Sequence, residues 1–480
     1  MEQAKKKYGI WTGIAMVVGV VIGAGIFLKS SAVMKASGGN IYIAISAWLI
    51  GGIIMISSGF CFAVYATKIS KYNGLIDYLE VASNRKIAYY AGYFSAMIYY
   101  PLTGANIASF GAGYLLSICN VDVNQHAWAV YLLAFLFITF FIALNYLSPF
   151  LSNKFQISAM VIKLIPIFIV MVVCIFATLI PSLKGRSIIS PFTDDPVKGA
   201  AVNFGEAVKI TAFAYNGWIS ATAINGELKN SKKNLPRALV FGTIAIVIFY
   251  LLFFIGLNVI LTNKEILEHG QESSGWAFYK LMGPVGMSIL LVFICISCLG
   301  NANAMVLCTS RSLFGLAVRG QGFKPQAVSK LKNDKYTLSP YVFSYILFVF
   351  YLIILMLARY PNPNNLDEPL IPFMSYLRSS DEMVCSIIYI FYIPIYLYMF
   401  KNFKELHFVK RFIFPVIAIG GSAFMVLCST GVLDAIISTD HPVDSLYGCL
   451  MFLVICIALF IPAEVMYRKR ENTKIVQNNL

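Results

Sequence analysis

The chain has 480 residues, 59% of them hydrophobic and only 12% charged, with a mean hydropathy of +0.75. A water-soluble protein of this length could neither hide so many apolar residues in a core nor cover its surface with so few charges, since soluble domains carry about twice that charged fraction. The formal net charge of +15 is spread over short segments between apolar runs, which marks orientation in a membrane and not a nucleic-acid-binding stripe.

A hydrocarbon core of roughly 30 Å requires about 20 apolar residues per helix. Runs meeting that requirement occupy 10–34, 41–66, 88–117, 127–147, 154–181, 201–225, 237–262, 284–316, 339–359, 374–400, 412–434 and 445–467. They predict an all-α integral membrane protein of about twelve transmembrane helices, a single domain over 1–480 with no soluble insertion. The first run follows Lys5, Lys6 and Lys7. It is too long and glycine-rich for a signal peptide and no small-residue cleavage site follows, so it is taken as the first spanning helix. With the N-terminus inside, 26 of the 37 basic residues fall on one side and nine on the other, leaving Lys163 and Lys209 within helices. The asymmetry predicts cytoplasmic N- and C-termini. Nearly all of the ten cysteines lie inside apolar runs without metal-ligand spacing, and the four histidines are isolated. No metal and no cofactor are expected.

Two runs are interrupted in a similar way. The first contains Gly19-Val-Val-Ile22-Gly23-Ala24-Gly25-Ile26-Phe27, and the sixth contains Phe213-Ala214-Tyr215-Asn216-Gly217-Trp218. They head two successive blocks of five helices, and because five is odd the second block must be inverted relative to the first. Paired breaks at corresponding positions of two inverted halves point to a binding site at the bilayer midplane. Free N–H groups of Ala24, Gly25 and Ile26 would open a half-helix whose positive end suits a carboxylate. Free carbonyls of Phe213 and Ala214 would close one whose negative end suits an ammonium. A zwitterionic α-amino acid fits both. The alternative is that the glycines only allow close helix packing.

At these residues a family resemblance becomes definite. The stretches GVVIGAGIF, FAYNGWISATAINGELKNSKKNLPRAL and SCLGNANAMVLCTSRSLFGLAVRG resemble the first, sixth and eighth helices of amino acid–polyamine–organocation permeases, closest to the L-type amino-acid transporter branch. The resemblance implies a LeuT-type 5+5 inverted repeat, residues 8–181 and 201–400, with two extra C-terminal helices over 412–467. It implies alternating access around a substrate held by Ile22, Gly23, Ala24, Gly25 and Ile26 on one side and by Phe213, Ala214 and Asn216 on the other. Phe213 resembles the family's outer gate, with Trp218 packed below it. A neutral Asn216 stands where relatives of cationic specificity carry an acid, which favours small neutral substrates. The sequence departs from the family pattern at Ala24, where serine is common, at Val64, where glutamate is frequent, and at Ile219 after Trp218.

Lys163 lies nine residues into the fifth run from Lys154, roughly 13 Å deep at 1.5 Å per residue. Snorkelling from that depth is strained, and an intramembrane lysine marks a functional site. The stretch QISAMVIKLIPI resembles the fifth helix of sodium-independent family members, which implies that the Lys163 ammonium replaces a sodium ion, bridging the first helix and the eighth near Ser297. Glu206 and Lys209, spaced i,i+3, are expected to pair. Asp381 and Glu382 lie near the outer end of the tenth run, where an interfacial position is expected and a part in proton coupling is the alternative.

No intramembrane acid–base cluster or nucleotide-binding loop is visible, so neither an enzyme nor an ATP-driven pump is expected. The expected function is a sodium-independent amino-acid transporter, an exchanger of small neutral amino acids. The alternatives are proton-coupled symport and transport of cationic amino acids or polyamines. The expected location is the cell membrane, as a multi-pass protein of a bacterial inner membrane. The expected partners are the amino acid and membrane lipid, with neither nucleic acid nor an accessory subunit.

Overall fold

The computed structural model describes residues 6–469, except 24, 70–72, 124, 181–182, 184, 195–201, 333–334, 360, 363–364, 370–379, 430–453, 455–456 and 459. The side chains of residues 359–383 and 429 also lie outside the described set, and with them those of Asp381 and Glu382.

The first run forms two helices, α1 (Ile10–Val21) and α2 (Gly25–Ala36), bent by 41° at the Ile22–Gly23 break. α3 (Ile41–Lys68) starts at Asn40, whose side chain accepts from the N–H groups of Tyr42 and Ile43. Two short helices, α4 (Gly74–Ala82) and α5 (Arg85–Phe94), lead into a π-helical turn, Ser95–Tyr99, and then α6 (Tyr100–Ile118). The turn has a covalent cause. Pro101 has no N–H for the carbonyl of Met97, and the Tyr351 hydroxyl donates to that carbonyl instead at 2.9 Å. α7 (Ala127–Leu147) and α8 (Pro149–Ile175) are joined at Ser148, which caps a helix whose proline stands at its first position.

After the one-turn α9 (Ser190–Thr193), the sixth run gives α10 (Phe204–Ala214), an irregular stretch Tyr215–Ile219, and the single turn α11 (Ser220–Ala223). α12 (Ser231–Ile260) crosses back and leads to α13 (Asn263–His269), opened by a Thr262/Glu265 capping box. α14 (Ser273–Val318) is broken only at Gly283, which takes φ 66° ahead of Pro284. The short α15 (Pro325–Val328) and the hairpin strands β1 (Leu331–Lys332) and β2 (Lys335–Tyr336) precede α16 (Ser339–Arg359), α17 (Ser380–Asn402) and α18 (Phe414–Ser429).

α1 is enclosed by α8, α12 and α14, while α3 runs along α12 and α6 along α14. α3 approaches α12 closely because Gly52 has no side chain, and a Cβ there would sit 2.7 Å from Val247 Cγ2. The outside of the bundle is apolar. On α7, Trp128, Leu132, Leu136, Phe140 and Leu147 are exposed, and on α16 Val342, Ile346, Phe350, Ile353 and Leu357. Continuous apolar stripes of this kind are solvated by lipid and are rare on water-facing monomers.

Among the described residues eight helices are long and apolar enough to cross a membrane, or nine with α1 and α2 as one bent span. The remaining three of the twelve expected runs fail as single helices for identifiable reasons. The 88–117 run is divided at the π-helical turn, and the 201–225 run is broken at Tyr215–Ile219. The 445–467 run falls largely outside the described residues.

Candidate functional site

A helix leaves its last carbonyls without intrahelical partners. At the buried end of α1 each of these carbonyls has found a donor on another element. Gly19 O accepts from Lys163 Nζ of α8 at 2.5 Å, and Val20 O from Asn301 Nδ2 of α14 at 3.0 Å. Val21 O accepts from the Tyr250 hydroxyl of α12 at 2.7 Å, and Ile22 O from Ser297 Oγ of α14 at 3.3 Å. Lys163 is 1% exposed and also donates to Asn301 Oδ1 (2.8 Å) and the Ser297 carbonyl (3.4 Å). Its ammonium therefore has three oxygen acceptors, a full set for three N–H donors. No carboxylate is among them.

The second break lies against the first. The Tyr250 hydroxyl that meets Val21 O is also 3.3 Å from Ala214 O at the end of α10. Gly217, at φ +109°, holds its backbone where a Cβ would meet Val20 Cγ1 at 2.9 Å. The aromatic set Trp48, Tyr215 and Tyr250 fixes this junction, with Tyr215 stacked on Tyr250 at 5.0 Å and Trp48 edge-on to both. Of the carbonyls expected to be free, Phe213 O accepts from the N–H groups of Tyr215 and Asn216. Ala214 O lies 3.3 Å from the Tyr250 hydroxyl, whose one proton is shared with Val21 O, and keeps the greater capacity for an incoming ammonium.

Ile22, Gly23 and Ile26 are buried and Gly25 is half-buried at the start of α2, where the first-turn N–H groups are unpaired by helix geometry. Ala24 lies outside the described residues. Phe213 is half-buried, and Trp218 is fully buried with its indole edge-on to Phe62 at 5.1 Å and tilted against Tyr392. Asn216 Nδ2 donates to the Tyr99 hydroxyl (3.1 Å) and to Cys385 Sγ, while its Oδ1 has no partner. Trp218 Nε1, Ser220 Oγ and Thr222 Oγ1 are likewise buried and unpartnered. These four residues lie within seven positions, from the irregular stretch into α11, and each buried polar atom without a partner carries a cost that a new donor or acceptor would relieve. Glu206 and Lys209 form an ion pair on α10.

Gly23 has a steric reason to be glycine. A Cβ there would lie 2.6 Å from Asn301 Nδ2, pushing the amide off Val20 O and loosening its hold on Lys163. Gly23→Ala is expected to weaken substrate affinity about tenfold, equivalent to one buried hydrogen bond. The measurement is the concentration for half-maximal exchange in vesicles.

A second polar cluster closes the end of the bundle where α1 begins. The N–H groups of Lys7 and Tyr8 donate to Glu227 O, and Lys229 N donates to Tyr8 O at 2.8 Å. The Glu227 carboxylate pairs with Arg311 of α14, with side chains only 1% and 2% exposed. The Arg311 guanidinium lies 3.8 Å from the centroid of the Tyr336 ring and donates to the Tyr341 hydroxyl at 3.0 Å. Tyr341 in turn donates to Asn145 O at the end of α7. The lock thus joins the N-terminal arm, the segment after α11, α14, the hairpin, α16 and α7.

The sequence reading assigned no role to Tyr250, Asn301 or the Glu227–Arg311 pair. Arg311 alone carried a usable signal, a charge inside an apolar run.

A model of the amino acid permease family matches residues 8–472. The chain belongs to this family. The permease is 30% identical over 441 residues to a serine/threonine exchanger of Bacillus subtilis, covering 90% of the chain and 92% of that relative. It is 25% identical over 350 residues to the mouse b(0,+)-type amino acid transporter 1, covering 73% and 70%. With the human cystine/glutamate transporter it shares 24% over 354 residues, covering 71% and 66%. Family and relatives are membrane transporters, and the permease with its apolar spans is a multi-pass membrane protein.

Proposed function

We propose that this permease exchanges small neutral amino acids across the cell membrane without sodium, by alternating access in a LeuT-type fold. The observation that carries the proposal is the junction of the two breaks. The carbonyl ends of α1 and α10 lie beside one hydroxyl, that of Tyr250, and α2 starts at Gly25, just past the end of α1. An α-carboxylate on Gly23, Gly25 and Ile26 and an α-ammonium on the Phe213 and Ala214 carbonyls complement these dipole ends. The Lys163 ammonium meets the oxygens of Gly19, Ser297 and Asn301, as a sodium ion there would, which supports sodium independence. Exchange is supported by the B. subtilis relative, whose name states that it exchanges serine and threonine.

In this reading residues 8–181 and 201–400 form the inverted repeats and 412–467 the additional helices. Both termini are cytoplasmic, and the Glu227–Arg311 lock is the cytoplasmic gate. Phe213 closes the opposite side above Trp218. Purified protein in sodium-free vesicles should take up labelled serine and alanine only when unlabelled amino acid is inside. Uptake into empty vesicles driven by an inward proton gradient would replace exchange by symport.

Asn216 sets the side-chain preference. Its amide faces the Tyr99 hydroxyl and the Cys385 thiol, a neutral environment that favours neutral substrates. Asn216→Asp is expected to cut serine uptake about tenfold and to admit lysine or arginine, because a buried carboxylate without a cation is costly. Competition by unlabelled lysine and arginine, tested against the variant and the parent, is the measurement.

A further inference from the structure

The seam between α7, α8 and α14 holds four buried, uncharged polar side chains that bind one another. Asn145 of α7, Ser152 and Gln156 of α8, and Asn303 of α14 are each at most 3% exposed. Asn303 is the hub. Its Oδ1 accepts from Asn145 Nδ2 at 2.8 Å, and its Nδ2 donates to Gln156 Oε1 at 2.9 Å. Ser152 Oγ shares its one proton between Asn145 Oδ1 (2.8 Å) and Asn303 Oδ1 (3.1 Å). α14 comes close enough for these contacts because Gly300 has no side chain, and a Cβ there would sit 2.8 Å from Ala159 Cβ. The set touches the lock at one end and the broken helix at the other. The carbonyl of the same Asn145 accepts from the Tyr341 hydroxyl, which in turn accepts from Arg311. Gln156 Nε2 lies beside Gly19, 3.5 Å from where a Cβ would stand, and Gly19 O is an acceptor of Lys163.

Side-chain hydrogen bonds between helices fix register because they are directional and short in range. Asn303 stands six residues from Ser297 on α14, about 9 Å along the axis. A sideways tilt of α14 by about 10° around its Ser297 contact carries Asn303 roughly 1.6 Å. That takes the 2.9 Å bond to Gln156 beyond hydrogen-bonding distance. The partners of Asn303 stand on two other helices, so a tilt toward one leaves the other. An exchanger must keep its empty form from reorienting, and a restraint that needs no substrate serves that end. We propose that Asn303 and Gln156 are positioning residues, forming with Asn145 and Ser152 a neutral catch that holds α14 in its closed register while the substrate site is empty. The inference rests on the exchange reading and on the lock as a gate, not on which amino acid is carried.

The test treats the full-length protein with maleimide in vesicles free of amino acid. It reads Cys308, which is buried on α14 between Asn303 and Arg311, by peptide mass spectrometry. Asn303→Leu keeps the branched shape and removes the polar atoms. It is expected to raise the labelling rate of Cys308 about tenfold, the equivalent of one strong interhelical side-chain hydrogen bond. Gln156→Met cuts the bond to α8, leaves Asn145 on Asn303, and should raise the rate by a smaller factor. The thermal midpoint is expected to stay close to the parent's in both, since Asn145 keeps Phe141 O and Ser152. A packing role alone predicts the reverse, a lowered midpoint with Cys308 labelled as slowly as in the parent, and that result overturns the catch. So does the parent's labelling rate in both variants. Serine uptake into empty vesicles should also appear in Asn303→Leu, where the parent requires amino acid inside. Labelling needs neither substrate nor transport. A parent that fails to exchange serine overturns the exchange reading, while faster labelling in Asn303→Leu still supports the catch.

Discussion

Replacing Lys163 by methionine, which keeps the length of the side chain and removes its charge, is expected to lower serine exchange by at least about 100-fold. The estimate follows from what the ammonium holds. Gly19 O, Ser297 O and Asn301 Oδ1 all accept from it, and each buried acceptor left without a donor costs about 1–3 kcal/mol. Losing even two of these bonds spends the free energy that joins the end of α1 to α8 and α14. The substrate site would then have a loose wall. Lys163→Ala should show the same loss and, by opening an oxygen-lined space, admit water or a small cation. Rates in sodium-free vesicles, normalised to monodisperse protein recovered, give the answer. Wild-type exchange in the methionine variant would reduce Lys163 to a satisfied core lysine without a part in transport.

The Glu227–Arg311 pair yields the second large effect. Removing one partner of a fully buried ion pair leaves an uncompensated charge and costs about 3–5 kcal/mol. Glu227→Ala is therefore expected to lower thermal stability clearly and to abolish exchange. The double variant Glu227→Gln/Arg311→Met separates the two effects. With no buried charge left it should recover most of the stability, because buried pairs replaced by neutral residues of similar volume are often neutral in energy. It should nevertheless fail to close. Cys308, buried between lock and site with its Sγ 3.5 Å from Ser220 O, would become reactive to maleimide, read by peptide mass spectrometry. A double variant that exchanges normally with Cys308 protected would deny the pair a gating role.

What could be read in the chain divides along physical lines. A bilayer demands long apolar runs, so the spans of α3, α7, α8 and α12 were legible from hydropathy alone. The break at Gly23 was legible because glycine is costly in a helix unless the backbone needs it. Lys163 was legible because a charge in an apolar run needs a reason. Tyr250 and Asn301 were not, since which hydroxyl or amide reaches a free carbonyl depends on how three helices pack. Nothing distinguishes Tyr250 from the other 27 tyrosines of the chain. Pro101 was visible in its run, but its effect, a wide turn serviced by Tyr351 from α16, needed the neighbouring helix. Arg311 carried the same signal as Lys163, but its partner Glu227 stands just past the end of the sixth run.

α14 presents Ser297 to the end of α1 and Arg311 to the lock, fourteen residues apart on an uninterrupted stretch, about 21 Å along its axis. Such a segment behaves as a lever. Tilting it by about 10° around its contact with α1 carries the Arg311 end roughly 4 Å, more than the reach of a hydrogen bond. An adjustment at the substrate small enough to leave the binding contacts intact is thereby magnified into a motion that parts the pair at the other end. Stiffness in α14 thus limits how tightly gate and cargo are geared together, and replacing two adjacent residues between the two positions by glycine would uncouple them while leaving each intact.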